Sequence, residues 1–190
     1  MKKILSTMTL VLVLHILFAA GAQAVQVSDG NDSAIQASLR TIDSNAAVTS
    51  MDENIFLFGL TPGTLASDVT ATGCTVTASD DSAVAGAAKI ATGMKVQKSS
   101  ESAQVVLIGD VNSDGDTNSA DLAGMKISLL FDSAVSDSVA KAGDIQQDGV
   151  FDILDLVAFK KSVVSSGAVS QKLVILNYGS VSNDGWSEFK

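Results

Sequence analysis

Asp110-Val111-Asn112-Ser113-Asp114-Gly115-Asp116-Thr117-Asn118-Ser119-Ala120-Asp121 decides how this chain is read. Oxygen-bearing side chains occupy positions 1, 3, 5, 9 and 12 of this twelve-residue stretch: Asp110, Asn112, Asp114, Asn118 and Asp121. Gly115 stands at position 6, where the chain must turn sharply and a Cβ is costly. A hard dication takes about six to eight oxygens in a flexible shell, so alternate residues of a tight loop can face one ion. Asp116, at position 7, is expected to give its backbone carbonyl and to turn its side chain to water. Asn118 commonly acts through a water. Asp121 closes the shell bidentately and opens the following helix, whose N-terminus favours its charge. The stretch predicts a calcium loop.

A second stretch, Asp144-Ile-Gln-Gln-Asp-Gly-Val-Phe-Asp-Ile-Leu-Asp155, matches at positions 1, 5, 6, 9 and 12 and begins 34 residues later (144 − 110). Its ligand set is Asp144, Gln146, Asp148, Val150 through its carbonyl, Asp152 and Asp155. The correspondence continues beyond the loops, pairing Leu122 with Leu156, Met125 with Phe159, Lys126 with Lys160 and Leu129 with Val163. This is a duplicated loop-helix unit, and it predicts two calcium ions. Gln146 replaces the shorter side chain of Asn112, and its extra methylene suits a tight shell poorly, so the second site is expected to be the weaker. Neither unit is an ordinary EF-hand, which has a helix on both sides and usually Glu at position 12. Here position 12 is Asp, and the residues leading into the first loop, Gln104 to Ile108, read as a strand.

Further out, residues 46–109 read as a small β-rich domain. Asn54 to Leu60 is an apolar run closed by the turn Thr61-Pro62-Gly63-Thr64, and Cys74 to Ala78 and Met94 to Gln97 alternate. Leu65 to Val69 is expected to form one helical turn. Residues 25–45 are polar and small, with a faint helical pattern at Ile35, Leu39 and Ile42, and read as a linker holding one marginal helix. Residues 1–24 have a basic start, an apolar core and Ala22-Gln23-Ala24 at the end. They read as a secretory signal peptide. In 165–190, Leu173 to Tyr178 is strand-like and a polar tail follows. The fold class expected is α+β: a β-rich domain, a helical module of residues 110–164, then a strand and tail.

Composition removes several function classes. Without residues 1–24, 166 residues remain (190 − 24), with a net charge of −11 (10 − 21) and no histidine, since His15 lies in the leader. That excludes histidine-based triads and His-ligated zinc, and makes nucleic acid a poor partner. Cys74 is the lone cysteine, so no intrachain disulfide forms. Paired carboxylates can hydrolyse glycosides, but the acids of residues 46–110 fall mostly in turns, so no enzyme activity is expected.

The two loops, the closing Asp121-Leu122 and Asp155-Leu156, and the tracts Met125-Lys126 and Phe159-Lys160-Lys161 together resemble the type I dockerin family. Ile55 to Thr64, Ala91 to Lys95 and the run into Gly109-Asp110 are similar to a β module that precedes dockerin repeats in secreted proteins of gut and rumen anaerobes. The resemblance implies two calcium-loop helices packed antiparallel, with a short helix between them drawn from Phe131 to Ala142. It also implies a partner. Dockerins bind cohesin modules of scaffold proteins and so attach secreted proteins to cellulosome-like complexes for polysaccharide degradation. Carried over by motif position, the recognition residues are Ser119, Ala120, Lys126 and Ile127 in the first unit and Ile153, Leu154, Lys160 and Lys161 in the second. Ser-Ala against Ile-Leu makes the two faces unequal. The expectation is a secreted, monomeric, calcium-binding cohesin partner that does not enter a membrane. The alternative is a calcium-stabilised structural or surface-adhesion protein with no cohesin.

Overall fold

The strand Asn54–Phe58 (β2) is buried on both sides over its second half, and this organises the molecule. The structure, a computed structural model, describes residues 33–51, 53–131 and 134–174. β2 lies in a five-stranded sheet with β1 (Ala47–Met51), β3 (Thr75–Thr77), β4 (Lys95–Lys98) and β5 (Glu101–Val105), in the order β1-β2-β5-β4-β3. All neighbours are antiparallel except β2 and β5, which run parallel with Phe56 opposite Gln104 and Leu57 opposite Val105.

Side chains alternate faces along a strand, and here each face has its own cover. Leu57, Val96, Ala103, Val105 and Leu107 pack with Ile35 and Leu39 of α1 (Ala34–Leu39) and with Ala66 and Val69 of α2 (Ala66–Ala71). Phe56, Phe58, Val106 and Ile108 form a second core on the other face. There they meet Met125 of α3 (Ser119–Phe131), Ala142 of α4 (Asp137–Gly143) and Phe159 of α5 (Ile153–Ser166). The sheet is thus a middle layer, and the duplicated loop-helix units cover one of its faces.

Several expectations change. The segment expected to be a linker is, from Ser33 onward, part of the first core: Ile35 and Leu39 are fully buried, and Ser33 caps α1 while donating to Glu101 at 2.5 Å. β1 was not expected. The strand expected at Gln104 to Ile108 starts at Glu101 and ends at Val105; Val106, Leu107 and Ile108 are buried but outside the ladder. Leu173 and Val174 are not in a strand, and the rest of the expected strand to Tyr178 lies outside the described residues, as does the expected signal peptide. The C-terminal segment joins the body through Val169 and Leu173, which pack on the second core, and through a pair of amide side chains. Gln171 accepts from the Ile108 N–H and donates to its carbonyl, both at 2.8 Å. Gln147, in the second loop, accepts from the Val174 N–H at 2.6 Å and donates to the Lys172 carbonyl at 3.0 Å. The short helix expected between the repeats is α4. Among the described residues, no helix is long and apolar enough to cross a membrane.

Candidate metal centre and docking face

The two loops share a common set of hydrogen bonds at positions 1, 5, 9 and 12. At position 1, Asp110 accepts from the N–H groups of Asp114 (3.0 Å) and Gly115 (3.3 Å), and Asp144 accepts from those of Asp148 (3.1 Å) and Gly149 (2.8 Å). At position 12, Asp121 accepts from Asn112 (3.2 Å) and Asn118 (2.8 Å), and Asp155 accepts from Gln146 (3.0 Å) and Asp152 (2.9 Å). Position 5 accepts from position 7 in both, Asp114 from Asp116 (2.9 Å) and Asp148 from Val150 (3.0 Å). Position 9 caps the exiting helix in both: Asn118 accepts from Ala120 (2.8 Å) and Asp152 from Leu154 (2.7 Å). Position 4 is left-handed in both, Ser113 at φ +60° and Gln147 at φ +57°, a conformation that non-glycine residues rarely adopt.

Three of the four carboxylates at the loop ends are shut away from water, and Asp144 is half-buried. Asp110, Asp121 and Asp155 are buried. Burial pushes the carboxyl of Asp110 above its ordinary range, against the N–H groups of Thr92, Asp114 and Gly115. Burial also raises Asp121, with the charges of Asp110 and Asp114 adding to it. Asp144 is raised by burial and by Asp155 and Asp148. Carboxyls whose charged form is opposed by desolvation and by one another suit a hard cation. Among the described residues, no three acidic or cysteine side chains stand together as a ready clasp. A cation here would need the Asn112 amide and backbone carbonyls beside the carboxylates, which is the donor mixture of a calcium loop. The residues fit the ion that the sequence implies.

The loops differ in their surroundings. In the first, Asn112 accepts from the Asp114 N–H (3.0 Å) and donates to its carboxylate (2.8 Å); among the described residues Gln146 has no equivalent bond. Asp116 corrects an expectation. Its side chain does not simply face water but pairs with Lys89 of the sheet half. Asp110 also accepts from the Thr92 N–H at 2.8 Å, and the Gly63 N–H donates to the Gly115 carbonyl at 2.9 Å. Sequence reasoning missed these contributors. Thr92 and Gly63 act through main-chain groups, which leave no signature in residue type.

Every residue assigned to recognition lies at the surface: Ser119, Ala120, Lys126, Ile127, Ile153, Leu154, Lys160 and Lys161 are all exposed. Ile153 is 59% and Leu154 54% exposed, so neither is core. Further exposed apolar residues on the same two helices are Leu130, Phe131, Val157 and Val164. Leu130 and Val164 occupy equivalent repeat positions, a signal available in the sequence.

Residues 108–164 match the type I dockerin domain. Dockerin domains are non-catalytic modules that bind calcium and dock onto cohesin modules, and proteins carrying them are typically extracellular. No curated protein matches the chain. No solved structure matches it either.

Proposed function

We propose, from the dockerin match over residues 108–164 and the paired cages within it, that the protein is a secreted calcium-dependent docking protein that attaches to a cohesin of a cellulosome-like scaffold. The observation that supports this best is the shared hydrogen-bond pattern of the two loops, in which positions 1, 5, 9 and 12 accept from equivalent backbone N–H groups. The first site comprises Asp110, Asn112, Asp114, the Asp116 carbonyl, Asn118 through a water, and Asp121. The second comprises Asp144, Gln146, Asp148, the Val150 carbonyl, Asp152 and Asp155. Bound calcium supplies the positive charge that lets these carboxylates stay ionised together. The chain's own part is to hold them: backbone N–H groups orient positions 1 and 12, and Asn118 and Asp152 cap the starts of the two helices. Two ions, the second weaker for want of an Asn112 equivalent, is the stoichiometry of this reading. No catalytic residues are proposed, and the protein works as a monomer.

The docking residues are the eight exposed positions on α3 and α5. Ile153 and Leu154 supply an apolar anchor, with Lys160 and Lys161 as a basic contribution, an arrangement typical of specific protein interfaces. Ile153→Asp should abolish cohesin capture, because a charge would be buried without a partner. It should leave calcium affinity unchanged, since position 10 gives no ligand. Ser119→Asp should matter less. The experiment is a pull-down against the cohesins of the same genome, with calcium and with chelator. Failure of the wild-type chain to bind any of them would favour the second reading, a calcium-stabilised structural or adhesion protein. That reading draws on the packing of α3 and α5 against Phe56 and Phe58, which gives the repeats a role inside the fold.

A further inference from the structure

We propose that the segment Lys89–Thr92 of the sheet half is part of the first calcium site, so that a cation in loop 1 resists opening of the sheet while one in loop 2 does not. This rests on the calcium reading above. Thr92 makes the connection. It is 3% exposed; its N–H donates to Asp110 at 2.8 Å, and its hydroxyl accepts from the Leu107 N–H at 3.2 Å. One residue therefore ties the position-1 carboxylate to the chain leaving β5. Asp144, the counterpart in loop 2, takes its N–H bonds from Asp148 and Gly149 inside its own loop. Loop 1 is further seated by the Lys89–Asp116 ion pair and by the Gly63 N–H on the Gly115 carbonyl.

The two position-6 glycines make the contrast testable. Both have left-handed backbones, Gly115 at φ +80° and Gly149 at φ +92°. A Cβ on Gly115 would stand 2.5 Å from the Ile90 carbonyl oxygen and 2.8 Å from Lys89, whereas one on Gly149 would meet nothing within 4 Å. Alanine imposes the same backbone strain at both sites, but only at Gly115 does it also push the loop off the sheet half.

Hydrogen exchange read by mass spectrometry on the full chain decides the matter, because central-strand amides exchange through cooperative opening. If opening the sheet dismantles the first site, calcium slows exchange of β2 and β5 by one plus the ratio of calcium to its dissociation constant. That is on the order of 100-fold at 100 times the constant. Gly115→Ala should lose this protection and Gly149→Ala should keep it. Exchange in β2 and β5 within about threefold of the chelator value, while α5 gains protection, would overturn the proposal and leave the calcium reading standing. So would protection retained in Gly115→Ala, or lost equally in both variants. If Gly115→Ala does not fold, the wild-type comparison decides alone. No calcium binding by the wild-type chain in calorimetry would overturn the calcium reading and this inference together.

Discussion

Asp121 accepts from three backbone N–H groups, of Val111, Asn112 and Asn118, while Asp155 accepts from two, of Gln146 and Asp152. Removing a buried acceptor leaves its donors unsatisfied, at roughly 1–3 kcal/mol each. Asp121→Ala should therefore lower calcium affinity at its own loop further than Asp155→Ala does, by at least about tenfold in calorimetry. The titration of these groups has a defined sign. The folded-state values of Asp110, Asp121 and Asp144 lie above the ordinary 3.8, with burial the main cause. Their ionisation costs the cation-free fold nothing below that value, and the cost grows as pH rises through the raised values. Protons thus compete with the cation. Calcium affinity should weaken as pH is lowered from about 7 toward the ordinary carboxyl value of 3.8, more so for loop 1, which holds two of the three raised groups. Affinity independent of pH over that span would contradict the assignment. At this scale the sequence was legible wherever spacing carried the chemistry. The partner of Asp116 was not legible, because Lys89 lies 27 residues earlier and meets it only through tertiary docking.

Among the elements, α5 was the most legible. Its N-cap Asp152 and its N3 Asp155 form a capping box from the same residues that the loop pattern singles out. α1 was the least. Ile35, Leu39 and Ile42 recur at helical spacing in a polar stretch, and three apolar residues are too few to distinguish a linker helix from a core helix. The burial of Ile35 and Leu39 against Val96, Val105 and Leu107 is long-range and has no local signature. Truncating a buried leucine costs about 2–5 kcal/mol, so Leu39→Ala should lower the stability of the whole chain by that amount in denaturant unfolding. A change under about 0.5 kcal/mol, the range of surface substitutions, would mean that this stretch is the linker its composition suggests. β2 misled in a different way. Its apolar run reads as one strand of a small sheet, but Phe56 and Phe58 face one core and Leu57 the other, which requires cover on both sides.

For the whole molecule, composition indicated an α+β chain of two successive parts. The structure joins the parts: the aromatic face of β2 and the residues following β5 pack on Met125 and Phe159, and Asp110 spans the junction. Boundaries drawn from composition miss such a junction, since the apolar residues that form it lie in both halves and neither half alone looks incomplete. A calcium loop anchored in this way makes metal binding a property of the whole fold, which can be read without any partner. The most direct measurement is calorimetric titration of calcium into the full chain, repeated with Asp121→Ala. Two binding events are expected, the tighter of them lost in the variant, together with a higher melting temperature in calcium than in chelator. No heat of binding and an unchanged melt would contradict it.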